Sequence, residues 1–137
     1  SPLNPTCFEI VVVAIDAVRK GKGWECSMYG GRELTGKDAI EWAKECEKRG
    51  AGEILLTSMD ADGTKKGYDI ELTKKVVDSV PIPVIASGGA GTAEDIAKVF
   101  RETDCSAALA ASIFHYGKYN ILELKKELKK RGVEVRV

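Results

Sequence analysis

Histidine is nearly missing from this chain: His115 is the only one in 137 residues, so a multi-histidine metal site cannot be built and a histidine triad has a single candidate. A structural or rim role suits that residue better than catalysis. Net charge is missing too, because 21 Lys and Arg balance 21 Asp and Glu, which leaves no broad electrostatic footprint for nucleic acid or anionic membrane. Any anion must be bound locally. No long hydrophobic run is present either. The longest, Ile10 to Ile15, is far too short to span a bilayer, and no basic start followed by an apolar segment and a cleavage site occurs. The chain therefore reads as cytoplasmic. Cys7, Cys26, Cys46 and Cys105 lack C-x-x-C spacing, which favours buried free thiols in a reducing compartment over zinc or disulfides. With 44% hydrophobic and 31% charged residues, and no linker, charge block or low-complexity segment, the whole of 1–137 reads as one soluble domain.

What is present is alternation. Glu9 to Asp16, Glu53 to Thr57, Pro83 to Ser87 and Ala107 to Ala111 are strand candidates, and the first three are continuous Val, Ile and Leu runs, as expected of strands covered on both faces in a parallel sheet. A helix follows each. Thr35-x-x-Asp38 reads as a capping box before the stripe Ala39, Ile40, Trp42, Ala43 and Cys46, with a stop at Arg49-Gly50. The second helix covers about Asp69 to Val80, stopped by Pro81 and Pro83. The third starts at Thr92-x-x-Asp95, and a fourth covers about Asn120 to Arg131. Residues 19–31 read as a β-hairpin insertion and residues 1–8 as an irregular lead-in. The order is βα four times, which implies right-handed crossovers and a parallel α/β sheet.

Ligand chemistry gathers where the strands end. Asp16 closes the first, Thr57, Asp60, Asp62 and Gly63 follow the second, Ser87-Gly88-Gly89 follows the third, and Ala111-Ser112 ends the fourth. The carboxyl ends of parallel strands share one side of a sheet, so one site can use them all. Asp16 rises from an apolar floor, where desolvation favours the protonated acid and suits proton transfer; capping a turn explains it equally well. Gly63, Gly89 and Ser112 can aim backbone N–H groups, or a hydroxyl, at phosphate oxygens, although a glycine at a turn is also explained by positive φ alone. Asp60 and Asp62 could hold a metal, but sugar hydroxyls or the loop's own backbone account for the pair without one.

The strings Val13-Ala14-Ile15-Asp16-Ala17, Gly50 to Thr64, Ala86-Ser87-Gly88-Gly89-Ala90-Gly91 and Ala107 to His115 resemble, in order and separation, the carboxyl-terminal half of the cyclase subunit of imidazole glycerol phosphate synthase. The resemblance implies half of a TIM (βα)₈ barrel and a reaction of histidine biosynthesis: ammonia and a bisphosphorylated formimino ribonucleotide give imidazole glycerol phosphate and aminoimidazole carboxamide ribonucleotide. Asp16 matches one of the two acid/base aspartates, whose partner lies in the other half. Asp62, Gly63, Gly89, Ala111 and Ser112 match the site for one substrate phosphate, with Gly88 in the same turn and Thr57 beside it. Glu53 matches a member of the charged ring through which ammonia enters from a glutaminase partner; otherwise it is an ordinary strand-start residue. No cofactor or metal is implied. One departure is Val18, which stands where the family commonly carries Lys and so removes a cation close to Asp16. The unmatched lead-in Ser1 to Thr6 is another.

Four parallel strands cannot close a barrel, so edges and an apolar face remain open. Two remedies are available: a two-fold homodimer or the absent amino-terminal half completes the barrel, or helices redistribute to both faces as in flavodoxin-like sheets. The dimer is favoured. Such a chain binds phosphate with little or no turnover. Its rivals are a non-catalytic phosphate-binding scaffold and the isomerase that precedes the cyclase in the pathway, which the quoted strings fit less well.

Overall fold

The structure, a computed structural model, describes residues 10–110 and 120–135. Its elements are β1 (Val12–Lys20), β2 (Gly23–Met28), β3 (Glu33–Asp38), α1 (Ala39–Lys48), β4 (Glu53–Ser58), α2 (Ile70–Ser79), β5 (Val84–Ser87), α3 (Ala93–Thr103), β6 (Ala107–Ala108) and α4 (Ile121–Lys130). They form a six-stranded sheet in the order β3-β2-β1-β4-β5-β6. β1, β4, β5 and β6 run parallel, while β2 and β3 extend the sheet antiparallel beyond β1.

The parallel strands are neighbours in chain order, so every crossover moves the same way and lays its helix on the same face. Burial follows. Ile15, Ala17, Ile54, Leu56 and Val84 pack with Ala39, Ala43 and Cys46 of α1 and with Leu72 and Val76 of α2. Ala86 and Ala108 pack with Ile96, Ala97 and Val99 of α3 and with Leu124 and Leu128 of α4. The alternate positions point away from the helices: Val12 is 50% exposed, and Leu55 and Ile85 are half-buried. No helix among the described residues covers that second face, so the flavodoxin-like arrangement is not adopted. Continuous apolar runs had suggested cover on both sides; among the described residues only one side has it.

The local corrections have plain causes. β1 runs on to Lys20, so Asp16 does not close it; residues 12–17 pair with β4 and residues 17–20 with β2. The strand changes partners at Ala17 and the chain then reverses at Gly21-Lys22, where Gly21 takes φ +58°. Thr35 and Asp38 make no capping box. Thr35 lies in β3, donating its hydroxyl to the Cys26 carbonyl at 2.9 Å, and Asp38 itself caps α1 by accepting the Glu41 amide at 2.9 Å. The box at Thr92 and Asp95 does form on α3, Asp69 caps α2, and Asn120 caps α4. β6 covers only Ala107–Ala108. Ala111, Ser112, His115, Cys7 and the lead-in lie outside the described residues.

Candidate functional site

Side chains on one face of a strand alternate with those on the other, so strand register decides which residues meet. Asp16 pairs with Thr57 and Thr57 with Ser87, which puts a carboxylate and two hydroxyls in one lateral row across β1, β4 and β5. The row below it is Ala14, Leu55, Ile85 and Ala107. Both rows lie on the face that no described helix covers. The polar row crowns an apolar wall at the carboxyl ends of the strands, where parallel α/β folds carry their chemistry. Glu53 lies on the same face at the opposite end, paired with Val12 at the start of β4. It is therefore separated from Asp16 by the apolar row.

The loops above the polar row are built around glycines. Gly88 and Gly89 have φ of +92° and +111°, and a methyl group on Gly88 would meet the Ser58 carbonyl oxygen at 2.6 Å. A methyl on Gly89 would run into the Gly67 carbonyl, and one on Gly91 into that of Lys65. In return the Gly67 amide donates to the Gly89 carbonyl at 2.8 Å. The loop after β4 and the loop after β5 thus press backbone to backbone, which only residues without a side chain permit. Gly63 is different. It is exposed, with φ +78° and nothing near its missing side chain. Asp62 stands beside it, exposed, its amide donating to the Ser58 carbonyl at 2.9 Å.

Asp60 is committed to structure: its carboxylate accepts the Arg19 amide at 2.7 Å and ties the β1–β2 hairpin to the end of β4. At the start of α3, the Asp95 carboxylate takes the amides of Gly91 and Thr92, which precede the helix, at 2.8 and 2.9 Å, and the Asp95 amide donates to the Thr92 hydroxyl at 3.2 Å. Arg19 follows Val18 but does not replace the cation absent there. Its guanidinium stacks 4.8 Å from the centre of the Trp24 ring and pairs with Asp69 and Glu71 at 3.3 and 3.5 Å, on the helix side of the sheet. Trp24 donates its indole N–H to Asp69 at 3.3 Å.

Sequence reasoning missed this cluster, as it missed Tyr68, whose hydroxyl donates to the Leu109 carbonyl at 2.7 Å. Arg19 and Trp24 are the second pair back from a two-residue turn, a spacing that marks a cross-strand pair. For Tyr68 there was no such signal. Cys26, Cys46 and Cys105 are buried free thiols, and no helix among the described residues is long and apolar enough to cross a membrane.

A mostly parallel α/β sheet with its described helices on one face and polar residues gathered at its carboxyl edge defines the class of protein. The chain belongs to the histidine biosynthesis protein family, whose model matches residues 7–120. It is 63% identical over 127 residues to imidazole glycerol phosphate synthase subunit HisF of Pyrococcus furiosus, covering 93% of this chain and 50% of that protein. The HisF subunit of Thermococcus onnurineus is 58% identical with the same coverage. That of Methanobrevibacter smithii is 53% identical over 148 residues, 94% of this chain and 54% of the relative. The chain spans about half the length of the curated relatives it matches.

Proposed function

We propose that this chain is the carboxyl-terminal half-barrel, over 1–137, of an imidazole glycerol phosphate synthase cyclase, and that it holds one phosphate of the ribonucleotide substrate at its rim. The row Asp16, Thr57 and Ser87 carries this reading, because it lies on the face that becomes a barrel interior once closed. Asp16 is one of the acid/base pair. Thr57, Asp62, Gly63, Gly88 and Gly89 form the phosphate site together with Ala111 and Ser112, the amides of Gly63 and Gly89 supplying donors. Glu53, at the far end of the same face, belongs to the floor where ammonia arrives from a glutaminase subunit.

Closure comes from a second copy of this chain or from an amino-terminal half-barrel. Either one covers the row Ala14, Leu55, Ile85 and Ala107 and excludes water from the cavity above it. Turnover needs the second carboxylate and the second phosphate site at their own spacing, and a misplacement of about 1 Å can cost a hundredfold, so the chain alone turns over weakly or not at all.

The test is reconstitution. Mixing this chain with the amino-terminal half should produce ammonia-dependent turnover of the formimino ribonucleotide. Phosphate binding without any rescue would sink the cyclase reading and favour the scaffold, for which the tight loop packing at Gly88 and Gly89 already gives those glycines a sufficient structural reason. Isomerisation without an ammonia requirement would point to the preceding enzyme.

A further inference from the structure

Between the candidate phosphate loop and α2 lies the tripeptide Gly67-Tyr68-Asp69, and each of its residues is bound to a different strand end. Gly67, at φ +107°, donates its amide to Gly89 beyond β5. Tyr68 donates its hydroxyl to Leu109 beyond β6 at 2.7 Å. Asp69 accepts from the Trp24 indole on Oδ2 and from the Arg19 guanidinium on both oxygens, while Oδ1 also caps α2 through the Leu72 amide at 3.0 Å. The tripeptide ends the loop that leaves β4, so connections from all four parallel strands of the sheet meet in three consecutive residues.

The Tyr68 contact has the most specific geometry of the three. Its ring is 7% exposed and packs among Ala86, Ala90, Ala93 and Ile96, so the hydroxyl is delivered from a fixed direction. Burial pushes the phenol well above its ordinary range, with Cys105 and Asp95 adding to the effect, so it remains a donor at any working pH. Leu109 lacks this constraint: it follows a strand of two residues, is half exposed, and is held through its own amide by the Ala86 carbonyl at 2.8 Å. Two hydrogen bonds therefore fix where the chain goes as it leaves β6, and one of them comes from Tyr68.

We propose that Gly67-Tyr68-Asp69 is a positioning clasp, in which the Tyr68 hydroxyl sets the end of β6 against the Gly63 and Gly89 loops so that an anion bound at one strand end is felt at the others. This deepens the phosphate reading of the rim and rests on it. Tyr68 touches no substrate; it acts through Leu109.

Tyr68→Phe removes one oxygen and keeps the buried ring, so fold and packing survive. The full chain, labelled with ¹⁵N, is titrated with inorganic phosphate as the probe, and amide hydrogen exchange is measured without it. In the wild type, the amides of Gly63, Gly89 and Leu109 should shift together with a single dissociation constant. In Tyr68→Phe, exchange at Leu109 should quicken, Leu109 should stop responding to phosphate, and affinity should fall roughly two- to tenfold, as expected for one lost hydrogen bond. A change of melting temperature alone would not produce that split. Unchanged exchange at Leu109 overturns the clasp. So does unchanged phosphate affinity with faster exchange, because the bond would then be merely structural. If wild-type Gly63 and Gly89 ignore phosphate, the functional reading of the rim fails, and faster Leu109 exchange in Tyr68→Phe then marks the bond as structural only.

Discussion

Asp16 and Thr57 occupy one rung of the parallel ladder between β1 and β4, one pair short of its carboxyl end. Beyond Ala17 the strand turns to β2, so Asp16 is held by ladder pairing where a turn residue would be free to move. That placement suits a group that must meet a reacting atom. In a reconstituted barrel, Asp16→Asn should lower turnover by about 10²–10⁴-fold, the usual worth of a positioned acid or base, and leave phosphate affinity nearly unchanged. Steady-state rates beside a phosphate titration read both. Equal activity in the mutant removes Asp16 from the mechanism.

Gly89 and Gly63 both have positive φ, yet they should respond differently to alanine. At Gly63 only the backbone conformation is strained, which costs about 1–2 kcal/mol. At Gly89 the new methyl also runs into the Gly67 carbonyl and comes within 3.1 Å of the Ala61 side chain, so two loops must part. Chemical denaturation should place Gly89→Ala at least ~2 kcal/mol below Gly63→Ala. Equal losses would mean the contact between the loops is soft.

Much of this architecture was legible, and the lapses have physical origins. The apolar runs ending at Asp16, Thr57 and Ser87 named three parallel strands and, through their shared direction, the rim. Asp69, Thr92 and Asn120 announced three helix starts because a side-chain oxygen before an amphipathic stripe has few other uses. Thr35 misled for the same reason: the three-residue spacing to Asp38 mimics a capping box, while the strand that holds Thr35 is a polar, exposed edge, Glu-Leu-Thr-Gly-Lys-Asp, with no hydrophobic alternation to reveal it. Gly88 and Gly89 were read as admitting an anion or as answering to positive φ alone; that they also make room for another loop had no signal in the spacing. Tyr68 could not be anticipated, since its partner is a backbone carbonyl 41 residues away.

The buried thiols set an alkaline limit. Burial, reinforced by nearby Cys46, pushes the Cys26 thiol from 9.0 up to about 11. Folded chain therefore keeps a proton that unfolded chain has begun to lose, so stability is full below about pH 9 and declines from there to pH 11, at up to ~1.4 kcal/mol per pH unit. Burial shifts Cys46, Cys105 and Tyr68 in the same direction, so the wild-type slope alone does not isolate Cys26. The difference between wild type and Cys26→Ala does. Urea midpoints at pH 8.0 and 10.5 should show that difference shrinking by roughly 2 kcal/mol as pH rises. A constant difference would mean Cys26 ionises equally in both states.

Ile85 lies at the centre of the open apolar row, flanked by Leu55 and Ala107, and no helix among the described residues lies above its half-buried side chain. If two copies close around this face, burying an Ile or Leu is worth ~1.5–3 kcal/mol, and two-fold symmetry counts each position twice. Ile85→Lys would then place two ammonium groups in one apolar cavity. Desolvation and mutual repulsion both oppose that arrangement, so dimer affinity should fall by at least about a hundredfold. Arg32→Ala, on the exposed loop between β2 and β3, serves as the control and should leave association unchanged. Sedimentation velocity across a concentration series separates the cases. A wild-type chain that stays monomeric at tens of micromolar rules out self-closure and leaves the amino-terminal half as the partner. An Ile85→Lys chain that still dimerises at wild-type affinity shows that the copies meet along the strand edges, with the candidate site open to water on every copy.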